Sequence, residues 1–286
     1  MDIFHSYEFL RSILDFVLPR TCIICETVLF QDEALLCEKC SGDIPHTYFW
    51  LLRNNPMSDK FNSLIQEDLV AAWNEHVGVM EKDITAPGRG SATLEMGERY
   101  AYAAALFFYR SESEYRKITQ VIKYHGRSDV GRTFGRMLGE RLRYSSQFAD
   151  IDAIIPVPLH WTRQWQRGYN QAEIIAYGVA EVMGTPIRCD ILKRSRRTKT
   201  QTRLGIDEKA ANVKGAFVVD ERWLKFLADR SHLSSDDTDT TFRHLLLIDD
   251  VYTTGSTLHA CFLALRTTFP PPIRISIATL GFVGDI

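Results

Sequence analysis

A contiguous run near residue 250 combines acidic residues, hydroxyls and a glycine in an order that suits a sugar phosphate. The acidic pair follows the apolar run 245–248, and the hydroxyl-rich residues open the amphipathic stretch that begins at Ser256. The start of a helix offers unpaired N–H groups and a partial positive charge to a monophosphate. The carboxylates would accept hydrogen bonds from ribose hydroxyls, directly or through a hydrated magnesium ion. The candidate ligand-binding residues are Asp249, Asp250, Thr253, Thr254, Gly255, Ser256 and Thr257.

The same run has a plainer interpretation, which is a solvated strand end followed by an ordinary helix cap. Other phosphate-binding folds are less suitable, because the chain has no GxxxxGK[ST] loop and no GxGxxG after a strand. The eight histidines are scattered, and none is paired with a carboxylate at a motif. The sequence therefore identifies no general base and leaves the catalytic residues unassigned.

Four cysteines form two CxxC pairs, Cys22 with Cys25 and Cys37 with Cys40, separated by eleven residues. Each pair presents two thiolates from one tight turn, which predicts a tetrahedral zinc site without an open coordination position. Such an ion is expected to hold a small module together, and its loss should leave ligand binding at the distant 253–257 loop largely intact. The alternatives are four unrelated buried thiols or a redox pair.

Arginines and aromatic residues alternate in the segment 160–169, which follows a predicted strand. A parallel sheet places its ligand-facing loops at such positions. Arg163 and Arg167 suit a diphosphate, because a guanidinium binds two oxygens at once. Trp161, Trp165 and Tyr169 would stack on the bases of single-stranded nucleic acid or, alternatively, pack in a seam between domains.

The densest positive charge lies between residues 193 and 203, with no acidic residue before Asp207. Three interpretations are open: a lid that closes on pyrophosphate, a track for a nucleic-acid backbone, or a solvated loop. The nucleic-acid candidates are Lys193, Arg194, Arg196, Arg197 and Lys199.

Alternating apolar and amphipathic stretches position these candidate residues. Short apolar runs at 151–157, 245–248 and 274–283 predict strands covered on both faces, as in a parallel sheet. A helix is predicted between the cap residues Asn170 and Gly184. The order of strand, loop, helix and strand predicts an α/β fold with right-handed parallel crossovers.

Three glycines recur at four-residue intervals in the predicted helix 129–143. Gly131, Gly135 and Gly139 lower helix stability but allow a neighbouring element to approach closely. We expect that element to be the sheet.

Length and composition allow one full core and a small second unit, since the chain has 286 residues of which 45% are apolar. The formal charge is only −2, which makes any nucleic-acid contact depend on a local patch. We predict an amphipathic start and zinc-binding module at 1–46, an irregular connector at 47–98 and an α/β domain at 99–286. The polar segment 229–242 is predicted to be a mobile loop.

The first eighteen residues do not resemble a signal peptide, because Glu8, Arg11 and Asp15 interrupt the apolar positions. No apolar run approaches the ~18 residues of a membrane span. Six cysteines without a secretory signal favour a reducing compartment. The expectation is a cytoplasmic protein without a membrane span.

At residues 249–257 the chain resembles the phosphoribosyl pyrophosphate motif of type I phosphoribosyltransferases, and the wider pattern is similar to the ComF family of competence-associated proteins. The similarity runs over nearly all of the chain. Besides the two CxxC pairs, its motifs are Ile122-Lys123-Tyr124 with Gly126, Ile155-Pro156-Val157-Pro158-Leu159, Arg167-Gly168-Tyr169-Asn170-Gln171, Leu192-Lys193-Arg194, Thr200-Gln201 and Asn212-Val213 with Phe217.

The resemblance implies a type I phosphoribosyltransferase-like parallel sheet flanked by helices, with a small amino-terminal four-cysteine zinc module. It implies that Asp249 and Asp250 contact the ribose, that residues 253–257 hold the 5′-phosphate, and that the loop after the 151–157 strand approaches the pyrophosphate. Lys123 and Gly168 are ligand contacts by resemblance alone. The implied cofactors are structural zinc, and magnesium together with phosphoribosyl pyrophosphate.

These features are compatible with two functions from different classes, and a third alternative is a purely structural adaptor. One is a phosphoribosyltransferase with an unknown acceptor, in which magnesium and arginines stabilise departing pyrophosphate. The other is a protein of DNA uptake that keeps the phosphoribosyl site as a sensor and holds single-stranded DNA on its basic loops. The expected partners are a phosphoribosyl pyrophosphate-like small molecule, single-stranded DNA and DNA-uptake proteins.

Overall fold

The computed structural model describes residues 19–80, 100–110, 112–124, 126–195, 215–230 and 242–284, with the backbone alone at 72–80 and 227–230. The helices are α1 (Glu38–Gly42), α2 (Pro56–Met80), α3 (Arg116–Tyr124), α4 (Ser128–Arg143), α5 (Trp161–Arg167), α6 (Gln171–Met183), α7 (Glu221–Arg230) and α8 (Ser256–Thr268). The strands are β1 (Ala103–Phe108), β2 (Ala153–Pro156), β3 (Leu192–Arg194), β4 (Phe217–Val219), β5 (His244–Tyr252) and β6 (Arg274–Phe282).

The main sheet has the order β1-β6-β5-β2, and all of its pairs are parallel. Strands β5 and β6 are buried along most of their length, because helices cover both faces of the sheet. These observations confirm the predicted α/β fold. Strand β5 continues beyond the predicted run 245–248 to Tyr252. The acidic pair therefore lies within the strand.

The core has one apolar layer on each face of the sheet, because successive side chains of a strand point to opposite faces. On one face, Leu245 and Leu247 of β5 share a cluster with residues of α2, α8 and the antiparallel pair β3–β4. On the other face, Leu246 and Ile248 share a cluster with residues of α3, α4, α6 and the cysteine segment. Each side of β5 therefore meets different helices.

The prediction that residues 47–98 are irregular is wrong over α2. Asn55 and Ser58 bind each other reciprocally: the Ser58 N–H donates to Asn55 Oδ1 over 2.9 Å, and the Asn55 N–H donates to Ser58 Oγ over 3.1 Å. This arrangement is a capping box, and Pro56 occupies the first helical position, where its missing N–H costs nothing. The helix then buries Met57 and Phe61 against the sheet core.

The glycines of α4 pack against another helix, and the expectation that they face the sheet is wrong. A Cβ at Gly135 would lie 3.1 Å from the Cα of Gly178 in α6, and one at Gly139 would lie 3.0 Å from the Cα of Val179. The sheet-facing side of α4 is instead apolar, with Phe134 and Leu138 buried. The spacing of the glycines indicates close approach, but it does not identify the partner element.

The segment predicted as a ligand-facing loop contains the short helix α5. His160 caps it, because its Nδ1 accepts from the N–H of Thr162 over 3.3 Å. Gly168 ends it with a φ of +80°. The next helix, α6, begins and ends as predicted, with Asn170 as N-cap and Gly184 as C-cap. None of the helices in the described ranges combines the length and apolar character that crossing a bilayer requires.

Candidate functional site

The candidate ligand loop connects the end of β5 to the start of α8. Gly255 is the N-cap of α8, and the Oγ atoms of Thr254 and Ser256 lie 2.9 Å apart in front of the helix. The first N–H groups of a helix have no intrahelical partner, and the helix dipole is positive at this end. The loop therefore presents hydroxyls and amide donors together at a helix start, as the sequence predicts.

A glycine is needed at position 255 for two reasons. Its φ of +79° lies in the left-handed region, which side chains disfavour. A Cβ there would also lie 2.6 Å from the Cζ of Tyr252. The Tyr252 ring is buried and packs against Phe282 with 5.7 Å between ring centroids, which leaves it no room to move aside.

The two adjacent carboxylates lie on opposite faces of the sheet, because they alternate along β5. Asp250 forms an ion pair with Lys123 of α3, with 2.6 Å between Oδ2 and Nζ. Asp249 lies on the face of α8 and β3, and its Oδ1 accepts from the Asp250 N–H over 2.9 Å. The pair consequently divides its interactions between two layers of the molecule.

The two acids also differ in their electrostatic surroundings. Burial, and then the neighbouring charge of Asp250, raise the pKa of Asp249 to about 7. Burial works against the charged form of Lys123, but the ion pair with Asp250 outweighs it and raises the pKa of Lys123. A carboxyl group that titrates near neutral pH in a cleft is typical of functional sites.

Arg194 interacts electrostatically with Asp249, although the sequence placed it with the nucleic-acid candidates. Its guanidinium lies over the ring of Phe217, 5.1 Å from the centroid. Burial lowers the pKa of Arg194, and the nearby charge of Arg163 lowers it further, whereas Asp249 raises it. The sequence signal was weak, because Arg194 ends a strand of only three residues.

Lys193 points to a different acid from its neighbour Arg194. Its Nζ lies 2.6 Å from Oδ2 of Asp220, whose side chain is 3% exposed. Hydrogen bonds from Arg222, then from Lys193, hold the pKa of Asp220 far below its usual range. Lys193 therefore anchors the β3–β4 pair to the start of α7. The remaining basic candidates, Arg196, Arg197 and Lys199, lie outside the described residues.

Helix α5 carries an exposed aromatic surface. Trp161 and Trp165 lie one turn apart and are 72% and 86% exposed, which excludes the packed-seam interpretation for both. Arg167 lies over the ring of exposed Tyr124, 5.6 Å from its centroid. Arg167 also donates to Oε1 of Gln171 over 2.8 Å, which places it at the corner between α5 and α6.

The four cysteines form a cluster that fits one metal ion. Their Sγ atoms all lie within 4.8 Å of one another, and those of Cys25 and Cys37 are 3.7 Å apart. Zinc bonded to four thiolates at about 2.3 Å requires sulfur separations of about 3.8 Å. Cys22 and Cys40 are buried, which matches an ion that holds a module together.

The metal cluster is formed by two tight turns. The Glu26 N–H donates to the carbonyl oxygen of Cys22 over 2.9 Å, which closes the first CxxC turn. Cys37 is the N-cap of α1, and its Sγ accepts from the N–H of Cys40 over 3.5 Å. Each turn therefore directs two sulfurs to the same point, as the doubled spacing predicts.

The curated proteins that resemble this chain match about half of it and have consistent names. No family model matches the chain. It is 32% identical over 152 residues to "Competence protein F" of Haemophilus influenzae, which covers 52% of this chain and 60% of that protein. It is 26% identical over 140 residues to "DNA utilization protein YhgH" of Escherichia coli K12, covering 48% and 54% of the two chains.

A third relative matches over a shorter part of the chain. The chain is 28% identical over 122 residues to "Competence protein ComFC" of Bacillus subtilis, which covers 41% of each protein. The chain thus spans about half the length of the curated relatives it matches. Over this part the chain is similar to proteins that are named for competence and for DNA utilization.

Proposed function

We propose that this chain binds phosphoribosyl pyrophosphate with magnesium at the β5–α8 loop and acts in DNA uptake. One observation carries the ligand assignment: a helix start, two carboxylates and cations from separate elements meet at the carboxyl end of the parallel strands. Asp249 and Asp250 supply the carboxylates, and Lys123 pairs with Asp250. The role in DNA uptake rests on the printed names of the relatives.

Each part of the ligand has a complementary group in the proposal. Residues 253–257 bind the 5′-phosphate at the start of α8. The acidic pair addresses the ribose hydroxyls. The pyrophosphate is assigned to residues of α5 and its C-cap, which are Arg163, Arg167 and Gly168. A guanidinium group can bind two phosphate oxygens at once. Magnesium, when bound, neutralises charge on the pyrophosphate.

Calorimetric titration with phosphoribosyl pyrophosphate and magnesium chloride tests the ligand assignment. Asp249→Asn combined with Asp250→Asn should weaken binding of this ligand at least about tenfold, because bonds to charged groups are lost. Binding of orthophosphate should persist in the same variant, since a bare anion does not use the carboxylates. Equal affinity of the parent and the double variant for phosphoribosyl pyrophosphate would refute the assignment of the acidic pair.

An assay of pyrophosphate release, with nucleobases or amines as candidate acceptors, decides whether the site also catalyses phosphoribosyl transfer. Among the described residues of this site, Asp249 is the carboxyl group with a pKa near neutral pH. It is therefore the candidate proton carrier. Turnover that disappears in Asp249→Asn supports a transferase. Tight binding without pyrophosphate release supports a sensor.

The metal cluster is proposed to bind one structural zinc ion per chain through Cys22, Cys25, Cys37 and Cys40. Elemental analysis of the purified protein should find one zinc per chain, and Cys22→Ser should lower that content and destabilise the module. Absence of stoichiometric zinc, or iron in its place, would contradict this assignment.

A second candidate function is favoured by the exposed tryptophans of α5. Trp161 and Trp165 are far more exposed than indole rings usually are, and stacking on a base contributes about 1–3 kcal/mol. In this function the chain is an accessory protein that holds single-stranded DNA and keeps the phosphoribosyl site without turnover.

Fluorescence anisotropy with labelled oligothymidylate tests this second function. Trp161→Ala combined with Trp165→Ala should weaken binding about tenfold or more, whereas Tyr144→Ala should not. Tyr144 is a matched control, because it is an exposed ring beside an arginine on another helix end. Reversal of Arg196 and Arg197 to glutamate should flatten the salt dependence of binding. An unchanged salt dependence would remove the 193–203 run from the proposed interface.

A further inference from the structure

Helix α3 contacts the cysteine module at one end and the candidate ligand site at the other. Just before the helix, the Tyr115 hydroxyl donates to the carbonyl oxygen of Cys40 over 2.9 Å. In its first turn, Lys117 Nζ donates to the carbonyl oxygen of Ile24 over 2.7 Å. At its carboxyl end, Lys123 forms the 2.6 Å ion pair with Asp250.

The contact between α3 and the module is also apolar and closely packed. Ile118 and Ile122 are buried and belong to the same cluster as Cys22, Cys40 and Ile24. Protein interiors pack as densely as organic crystals and transmit small displacements. A shift of the cysteine turns would therefore move the helix.

The carboxyl end of α3 is held firmly beside the ligand site. The Tyr169 hydroxyl donates to the carbonyl oxygen of Ile122 over 2.5 Å. The helix has nine residues, which corresponds to about 13 Å. One short, rigid element thus joins the metal cluster to the ion pair of the acidic strand.

We propose that the metal-bound cysteine module positions Lys123 against Asp250 through α3, so that metal occupancy and ligand affinity are coupled. The inference rests on the proposed function for its ligand. It replaces the expectation that loss of the metal leaves the ligand loop intact, because that expectation treated the two sites as separate. Coupling of binding free energies is reciprocal, and disturbance at either end must therefore be felt at the other.

The first test disturbs the module end without touching a cysteine. Tyr115→Phe combined with Lys117→Met removes the hydrogen bonds to the carbonyl oxygens of Cys40 and Ile24 and the contact of Lys117 with Glu26. Zinc content should stay at one ion per chain, and affinity for magnesium phosphoribosyl pyrophosphate should fall about fivefold or more. Orthophosphate affinity should not change, because the hydroxyl loop is untouched.

Arg136→Ala is the control for this first test. It removes a 2.6 Å ion pair between α4 and Glu181, and its side chain is 51% exposed, compared with 33% for Lys117. Ligand affinity should stay at the parent value in this variant. Equal affinities for magnesium phosphoribosyl pyrophosphate in the parent and in the Tyr115 and Lys117 double variant would overturn the coupling.

The second test needs no phosphoribosyl ligand. Lys123→Met removes the ion pair at the site end, and zinc release to a chromophoric chelator should become about fivefold faster or more. The control for a general loss of stability is Phe269→Leu, which alters the apolar cluster on the other face of the sheet. The two variants are compared at a temperature at which they are equally stable. An unchanged rate, or the same acceleration in both variants, overturns the coupling.

The two tests separate the inference from the proposed function. If the parent binds no phosphoribosyl pyrophosphate but Lys123→Met alone releases zinc faster, the ligand assignment fails and the mechanical coupling stands. If the parent binds the ligand and neither test shows communication, the ligand assignment stands and the coupling fails.

Discussion

Two neighbouring aspartates occupy different environments, and this difference defines the chemistry of the candidate site. Asp250 has a lysine partner at 2.6 Å. Burial and the charge of Asp250 raise the pKa of Asp249 to about 7. Near neutral pH, Asp249 is thus divided between its protonated form, which donates a hydrogen bond, and its ionised form, which attracts a cation.

The affinity for magnesium phosphoribosyl pyrophosphate should rise between pH 6 and pH 8. The metal-bearing ligand requires the ionised form of Asp249, whose pKa is about 7. Below that pKa, protonation lowers the affinity by up to roughly tenfold per pH unit. Calorimetry across this range measures the effect. The Asp249→Asn variant shares the titration of the ligand but not that of the carboxyl group. Its pH profile should be flatter than that of the parent, and parallel profiles would contradict the prediction.

At the scale of the element, the start of α8 depends on the backbone of Gly255. Gly255→Ala should cost about 1–2 kcal/mol of stability from the left-handed conformation alone, in addition to the contact with the Tyr252 ring. Because the helix start must shift to relieve that contact, orthophosphate binding should be lost in calorimetry.

Gly184→Ala is the matched control for this prediction. Gly184 has a φ of +68°, and a Cβ there would meet no atom within 4 Å. The control should show a similar conformational cost in urea denaturation and unchanged phosphate binding. A Gly255→Ala protein that binds orthophosphate as the parent does would show that the loop is not the phosphate site.

Elements with local signals were predictable from the sequence. Helix α6 has an Asn at one end and a Gly at the other, and both caps were found as predicted. Helix α2 was missed because Asn54, Asn55 and Pro56 suggest a turn, although Asn55 and Pro56 also start a capped helix. Local residue types indicate that the chain changes direction, but they do not always show whether a helix comes next.

The candidate site was predictable where it is contiguous. Residues 249–257 are adjacent in the chain, and their composition alone indicates a strand, a loop and a helix start. Arg194 joins Asp249 only through the packing of β3 and β4 against the sheet. Helix α3 joins the metal cluster to Asp250 only through tertiary contacts. Such long-range contacts leave no local signature in a single sequence.

At the scale of the molecule, the end of the sheet opposite the candidate site contains a polar network around a buried histidine. His244 is fully buried, with Nδ1 2.8 Å from Asp150 Oδ1 and Nε2 2.7 Å from Ser276 Oγ. Arg274 also pairs with Asp150. Burial lowers the pKa of His244 to about 4.

The stability of the fold should therefore decrease in mild acid. In the unfolded chain the histidine takes up a proton near pH 6.5, whereas the folded protein keeps it neutral down to a pKa of about 4. Its contribution is complete above pH 6.5 and is lost as the pH falls from 6.5 to 4, up to roughly 3 kcal/mol. Urea denaturation at pH 7.5 and pH 5 measures this loss, which should be smaller in His244→Asn. Equal losses in the two proteins would exclude His244 as the cause.

The position of β6 determines when this sheet forms during synthesis. Strand β6 lies between β1 and β5, and Ala103 pairs with Ile277, far along the chain. At ribosomal speeds of about 5–20 residues per second, β1 waits roughly 10–30 s for its partner. During that interval the apolar strand Ala103–Phe108 lacks its parallel partner, and of its two sides only the one that residues 45–47 bridge can be paired. The nascent chain should consequently be a substrate for ribosome-associated chaperones until residues 274–282 have emerged.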